Sequence, residues 1–126
     1  MIRESPYRVF VERELDRMAC LPANWDADGA VSIDPAIVQA AHDLIAQLPD
    51  NLPNAPAVVP RSGGNLQFEW NDGPRSLELE IETPQTIHYL KWSPGEAIEE
   101  EGAFPIDDID QGMLLIDWFA KGLARV

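Results

Sequence analysis

Cysteine is almost missing from this chain: Cys20 stands alone. It can close no internal disulfide and cannot build a cysteine-based zinc site. That fits a reducing compartment, and a cytoplasmic location is expected. Basic residues are scarce as well, with 9 Lys and Arg against 22 Asp and Glu and a formal net charge of −13. Phosphate backbones and anionic lipid heads are held by clustered Lys and Arg, so no direct nucleic-acid or membrane binding is expected. No apolar run is long enough to cross a bilayer, and residues 1–6 hold no apolar signal core ahead of the first charged segment. The motifs that carry chemistry are missing too: no phosphate-cradling glycine loop, no Gly-x-Ser-x-Gly turn, no His-Glu-x-x-His zinc pattern. His42 and its neighbour Asp43 do not face each other on a helix, and His88 is expected on the inward side of a strand. Neither an ordinary enzyme nor a cofactor is expected.

What the chain does have is 45% hydrophobic content over 126 residues, enough for one buried core, and a single domain over residues 1–126 is expected. Tyr7, Val11, Leu15 and Met18 recur at helical spacing, which predicts an amphipathic helix over residues 7–21 with Cys20 as a buried thiol near its end. Arg3, Arg8, Arg13 and Arg17 cluster here with matching acids, so the excess negative charge lies elsewhere. Asp34-Pro35 reads as an N-cap and first helical residue. Ile37, Ala41, Leu44, Ile45 and Leu48 supply the apolar face of a second helix, which ends in a loop over residues 49–54.

From there the period changes to two. Residues 56–59 lie between prolines and allow at best an edge strand. In residues 65–70, Leu66, Phe68 and Trp70 share a face. After the turn signal Asn71-Asp72-Gly73-Pro74, residues 76–82 place Leu77, Leu79 and Ile81 inward and Glu78, Glu80 and Glu82 outward. A turn over residues 83–86 leads into a strand at 87–92. Turns with an even number of loop residues set Phe68 opposite Leu77 and Leu66 opposite Leu79. The next turn then sets Leu79 opposite Leu90, Leu77 opposite Trp92, Glu78 opposite Lys91 and Glu80 opposite Tyr89.

Residues 93–110 carry Glu96, Glu99, Glu100, Glu101, Asp107, Asp108 and Asp110 without a single base and read as an exposed loop. Asp107 or Asp108 can cap a last helix from about Ile109 to Leu123. Its apolar residues exceed one stripe, which calls for burial on two sides or against a partner, including a homodimer through this helix. The expected fold class is α+β: two N-terminal helices, an antiparallel meander of three or four strands, and a C-terminal helix. The helices pack on the sheet face of Leu66, Phe68, Leu77, Leu79, Ile81, Leu90 and Trp92.

Two places could carry function. Asn24, Asp26, Asp28 and Gly29 fall at the first, third, fifth and sixth positions of a calcium loop between helices, but Pro35 stands where the bidentate glutamate belongs. The other reading of residues 21–34 is a corner in which Trp25 is buried, Asp26 bonds loop amides and Asp34 caps. The second place is the outward acidic face of Glu69, Glu78, Glu80 and Glu82 with Gln67. It suits contact with a basic partner protein, a divalent metal or, as metal-dependent hydrolysis, general acid–base chemistry. Glu96, Glu99, Glu100, Glu101, Asp107 and Asp108 extend the candidate partner surface.

Leu21-Pro22-Ala23-Asn24-Trp25-Asp26 with Gly29-Ala30, followed by Gly63-Gly64-Asn65-Leu66-Gln67-Phe68-Glu69-Trp70 and the strand from Leu77 to Ile81, resembles a family of small, largely uncharacterised bacterial and phage proteins. In that family a Trp-Asp corner ending in Gly-Ala precedes a helix, and a Gly-Gly strand ending in Glu-Trp follows a proline-rich connector. Ala27 stands here where the family usually has glycine, and Asp28 where an aromatic or small residue is common. The resemblance covers about residues 15–92 and implies a binding role, since such genes sit among mobile and toxin–antitoxin-like elements. With the net charge, it leads to the expectation of a non-enzymatic acidic protein that neutralises or regulates a basic partner, as an antitoxin, immunity protein or phage-encoded inhibitor does. A calcium-binding or metal-dependent protein is the alternative.

Overall fold

Four apolar residues at helical spacing, Tyr7, Val11, Leu15 and Met18, form the buried stripe of α1, Pro6–Ala19. The computed structural model describes residues 6–52 and 54–123; expectations resting on residues 1–5, Arg3 among them, and on Pro53 lie outside the described residues. Cys20 falls just past the last turn of α1 and is exposed, which corrects the expected buried thiol.

α2, Pro35–Gln47, begins as its sequence dictates. Asp34 is extended, its carboxylate accepts from Ala36 N at 2.9 Å, and Pro35 occupies the first turn, where its missing N–H costs nothing. The carbonyls at the far end of a helix have no partner within it. Here α1 supplies one: Arg8 donates to Ile45 O and Leu48 O and pairs with Asp50, while Tyr7 Oη donates to Pro49 O at 2.6 Å. The corner between the helices is tied to the turn at Gly63-Gly64 through Val31 N to Ser62 O at 3.0 Å and Asp34 N to Gly64 O at 2.8 Å. Gly64 has φ +95°, and a Cβ there would stand 3.0 Å from Val31 Cγ2 and 3.2 Å from Ser32 O. The corner and the Gly-Gly turn are therefore in direct contact.

The sheet has five strands in sequence order, each antiparallel to the next: β1 Ala57–Pro60, β2 Leu66–Trp70, β3 Ser76–Thr83, β4 Thr86–Ser93 and β5 Ile98–Pro105. The expected three or four strands are corrected to five. The stretch read as an acidic loop is instead a 3-10 turn, Pro94–Glu96, followed by β5.

The first hairpin keeps the expected faces but slides by two residues, pairing Phe68 with Leu79, Leu66 with Ile81 and Trp70 with Leu77. The second hairpin overturns the expected facing of β4. Thr83 pairs with Thr86, leaving the even-numbered loop Pro84-Gln85, but the register shifts between Ile81 and Thr83, so that Ile81 pairs with Ile87, Leu79 with Tyr89 and Leu77 with Lys91. Glu82 is the extra residue of a β-bulge, and one extra residue exchanges the faces of everything beyond it. Ile87, Tyr89 and Lys91 thus lie on the inner face, and His88, Leu90 and Trp92 on the outer one.

Leu66, Phe68, Leu77, Leu79, Ile81 and Ile87 are sealed from solvent by Leu15 and Met18 of α1, Ile45 of α2, and Ile116 and Phe119 of α3, Ile109–Leu123. α3 buries Gly112, Leu115, Ile116, Phe119 and Gly122 while Leu114 is 65% exposed, so it is buried along one broad stripe, not on two sides. Among the described residues, no helix is long and apolar enough to cross a membrane.

Candidate partner-binding face

With all the helices on the inner face, the outer face of the sheet is left open. Strand pairing orders its side chains into rows: Ala57, Glu69, Glu78, Leu90 and Glu101 in one, Val59, Gln67, Glu80, His88 and Ala103 in the next, and Ser76, Trp92 and Glu99 beyond. Strand alternation with even turns predicts Glu78 opposite Lys91 and Glu80 opposite Tyr89. Because of the bulge at Glu82, Glu78 instead faces Leu90 on one side and Glu69 on the other, and Glu80 faces His88 and Gln67. Lys91 has gone to the helix side, where its Nζ lies 4.7 Å from the Trp118 ring centroid and 3.8 Å from Glu100.

The two ends of this face differ electrostatically. Around Glu80 a base and a donor are at hand: Arg61 Nε lies 3.5 Å away, Asn65 Nδ2 donates to it at 2.5 Å, and His88 stands 3.9 Å from it and from Glu101. Arg61 also donates to buried Gln67 at 2.9 Å, and Gln67 passes a hydrogen bond on to Glu69. Around Glu78 the nearest row partners are Glu69 and Leu90. Partial burial raises the Glu78 pKa above the ordinary glutamate range, Glu69 raises it further, Arg61 opposes and Glu80 adds. Carboxylates directly opposite each other in a ladder destabilise it.

A raised folded pKa means that the group's contribution to stability is present below the unfolded value and lost as pH rises through the folded one, so ionised Glu78 is a cost at neutral pH. Glu78→Gln is expected to raise the melting temperature slightly at neutral pH, with the gain vanishing near about pH 4, where the wild-type carboxyl is protonated. Paired thermal melts at the two pH values check this.

Glu69, Glu78 and Glu99 line an open cleft of about 320 Å³ floored by Leu90 and Trp92. Trp92 is 48% exposed, an unusual position for a tryptophan on a strand. A second hollow of about 300 Å³ lies on the other side of Glu69, lined by Phe10, Pro56 and Trp70. The spacing of α1 predicts that Phe10 widens the buried stripe; it is instead 44% exposed and lies next to this face.

The remaining acids singled out in the sequence are dispersed. Glu101 joins the outer face beside His88. Glu100 lies on the helix side and accepts from Tyr89 Oη at 3.0 Å. Glu96 is part of the framework: it takes both arms of buried Arg75 at 2.8 Å and a hydrogen bond from Ser93 Oγ at 2.9 Å. Glu82 is exposed at the bulge. Asp107 is exposed ahead of α3, where Asp108 Oδ1 accepts from Gln111 N at 3.2 Å as the cap.

In the corner, Asp26 Oδ1 accepts from Asp28 N at 2.9 Å and Ala30 N at 3.0 Å, and Asn24 Oδ1 accepts from Gly29 N at 2.8 Å. These amide hydrogen bonds hold the Asp26 pKa below the ordinary aspartate range. Trp25 is half-buried, its indole N–H donating to Val31 O at 3.1 Å. One oxygen each of Asn24 and Asp26 is engaged by loop amides, the bonding that the corner reading expects of Asp26. Among the described residues, no three His, Cys, Asp or Glu side chains converge as a metal site would need.

The chain matches no family model, no curated protein and no solved structure.

Proposed function

We propose that this chain is a non-enzymatic binding protein whose open sheet face takes up a basic protein partner and so neutralises or regulates it, in the manner of an antitoxin, immunity or phage-encoded inhibitor protein. One observation carries the reading: Glu78 is held in register against Glu69 beside a half-exposed Trp92. An arrangement that costs the free protein stability becomes favourable once a cation enters it. A Lys or Arg side chain in the cleft would meet carboxylates for charge-assisted hydrogen bonds and an indole face for a cation–π contact. Aromatic anchors ringed by polar groups are also where binding energy concentrates in protein interfaces. The formal net charge of −13 adds long-range attraction for such a partner, and the resemblance at the corner and the Gly-Gly strand supports the same class of role.

The test is capture from native lysate, followed by titration of the purified captured protein at increasing salt. Affinity is expected to fall as ionic strength rises. Trp92→Ala is expected to weaken binding by about tenfold or more, the scale of an interface anchor. Glu78→Gln should weaken binding without lowering thermal stability, which separates loss of a contact from loss of fold. Binding indifferent to salt and to both substitutions would sink the proposal.

A further inference from the structure

The two edges of the sheet are protected in different ways. β1 is four residues long, follows Pro56 and ends on Pro60, so its edge is short and poor in donors. β5 runs for eight residues with its proline only at the last position. It pairs with β4 on one side and, among the described residues, with no strand on the other. An edge of that length presents backbone N–H and C=O groups that seek a ladder, and natural proteins guard such edges.

The guard here is charge. Glu99, Glu100 and Glu101 are consecutive and exposed, Glu99 and Glu101 on the outer face and Glu100 on the helix side. The backbone behind them is held in place. Tyr89 lies across Gly102 so closely that a Cβ there would stand 2.9 Å from its ring, and its hydroxyl bonds Glu100. A second copy pairing antiparallel along this edge would bring glutamates against glutamates, between chains of formal net charge −13. For an extended strand rich in Lys and Arg, the same triplet attracts. Consecutive bases alternate faces just as consecutive glutamates do, so three of them can meet Glu99, Glu100 and Glu101 in register.

We infer that the free edge of β5 accepts an extended basic segment of the partner as a sixth strand, with Lys or Arg side chains set against Glu99, Glu100 and Glu101. This rests on the reading of a basic protein partner and specifies how it is held. Main-chain hydrogen bonds would supply affinity and the glutamates specificity, as in other strand-addition complexes. The outer-face side chains of the added strand would lie beside Glu99 and Trp92, continuing the cleft.

The experiment uses the full chain and a capped synthetic peptide, Thr-Val-Lys-Arg-Lys-Val-Thr, at low ionic strength. Two twins of the peptide carry backbone N-methyl groups on alternate residues, one twin for each strand edge, with all charges kept. Pairing through one edge predicts that one twin binds at least about tenfold more weakly while the other binds like the parent, since only one of them loses the backbone hydrogen bonds of the ladder. It also predicts slowed amide exchange within Ile98–Pro105 when the parent peptide is bound, and weaker binding of that peptide by a Glu99→Lys/Glu101→Lys variant. If both twins bind like the parent, the edge is not used, while the basic-partner reading stands on charge alone. If none of the peptides binds although the captured partner still depends on Trp92, the added strand is ruled out and the outer face retained. A doubled mass by light scattering without peptide, together with amide exchange already slowed within Ile98–Pro105, would give the edge to a second copy, against the inference.

Discussion

Arg75→Ala is expected to destabilise the protein by about 2.5 kcal/mol, below the cost of breaking a fully buried ion pair because Arg75 is buried while Glu96 is exposed. Arg75 is only 8% exposed, in the segment between β2 and β3, and it joins parts of the chain far apart in sequence. Its guanidinium forks onto Glu96 with both bonds at 2.8 Å, donates to Trp118 O at 2.6 Å and lies 4.8 Å from the Trp118 ring centroid. Gly122 belongs to the same contact, because a Cβ there would stand 2.5 Å from Arg75 Cδ and 2.8 Å from Cγ. Truncation would leave Glu96 with Ser93 alone among these partners and open a gap between α3 and the sheet. At about 4 °C per kcal/mol for a chain of this size, the melting temperature should fall by about 10 °C. Arg75→Lys keeps the charge but loses the fork and should fall in between. Urea melts of the three proteins measure this; a loss under about 1 kcal/mol would class the pair with ordinary surface ion pairs.

None of that linkage could be read in the sequence. Arg75 stands 43 positions from Trp118, and a base after a turn proline looks like a solvated turn residue. What the sequence did show was periodic. The stripe of α1, the Asp34-Pro35 start of α2, the start and end of α3 and the alternation of β2 and β3 all depend on local chemistry and stand in the structure as expected. β5 stayed hidden because an edge strand has little to alternate about: in Ile98–Pro105 only Phe104 is buried, and the glutamate triplet masks the period. Cys20 escapes burial by a single element boundary, since α1 stops one residue before it.

The candidate face was half legible for a related reason. Alternation alone places Glu69, Glu78 and Glu80 on it, whereas the same alternation predicts Leu90 and Trp92 as core. β4 carries apolar residues on both parities, Ile87 and Tyr89 on one and Leu90 and Trp92 on the other, so hydrophobicity could not choose between them. The choice was made at Glu82. The aromatic floor of the cleft therefore depends on a bulge that no composition rule reveals, beside carboxylates that composition rules find easily.

That dependence gives the prediction with the largest effect, a contrast between two single-residue deletions in one strand. Deleting Glu82 removes the extra residue of the bulge and leaves Ile81 against Ile87 and Leu79 against Tyr89, so every inward side chain keeps its place. The expected cost is about 1 kcal/mol, that of an ordinary mutation. Deleting Glu80, two residues earlier, allows no such escape. If the bulge absorbs the deletion, Ile81 turns to the outer face and Glu82 takes its place in a position that is 0% exposed, exchanging a buried isoleucine for a carboxylate. If it does not, Leu77 and Leu79 turn outward instead and Glu78 turns in. Either way the loss is at least about 5 kcal/mol, comparable to the whole stability of a typical domain. The Glu80 deletion should lack a cooperative unfolding transition in urea, while the Glu82 deletion melts cooperatively close to wild type and still shows Trp92 accessible to a soluble quencher. Equal damage from both deletions would mean that Glu82 is an integral ladder residue and that the facing of Trp92 has another cause.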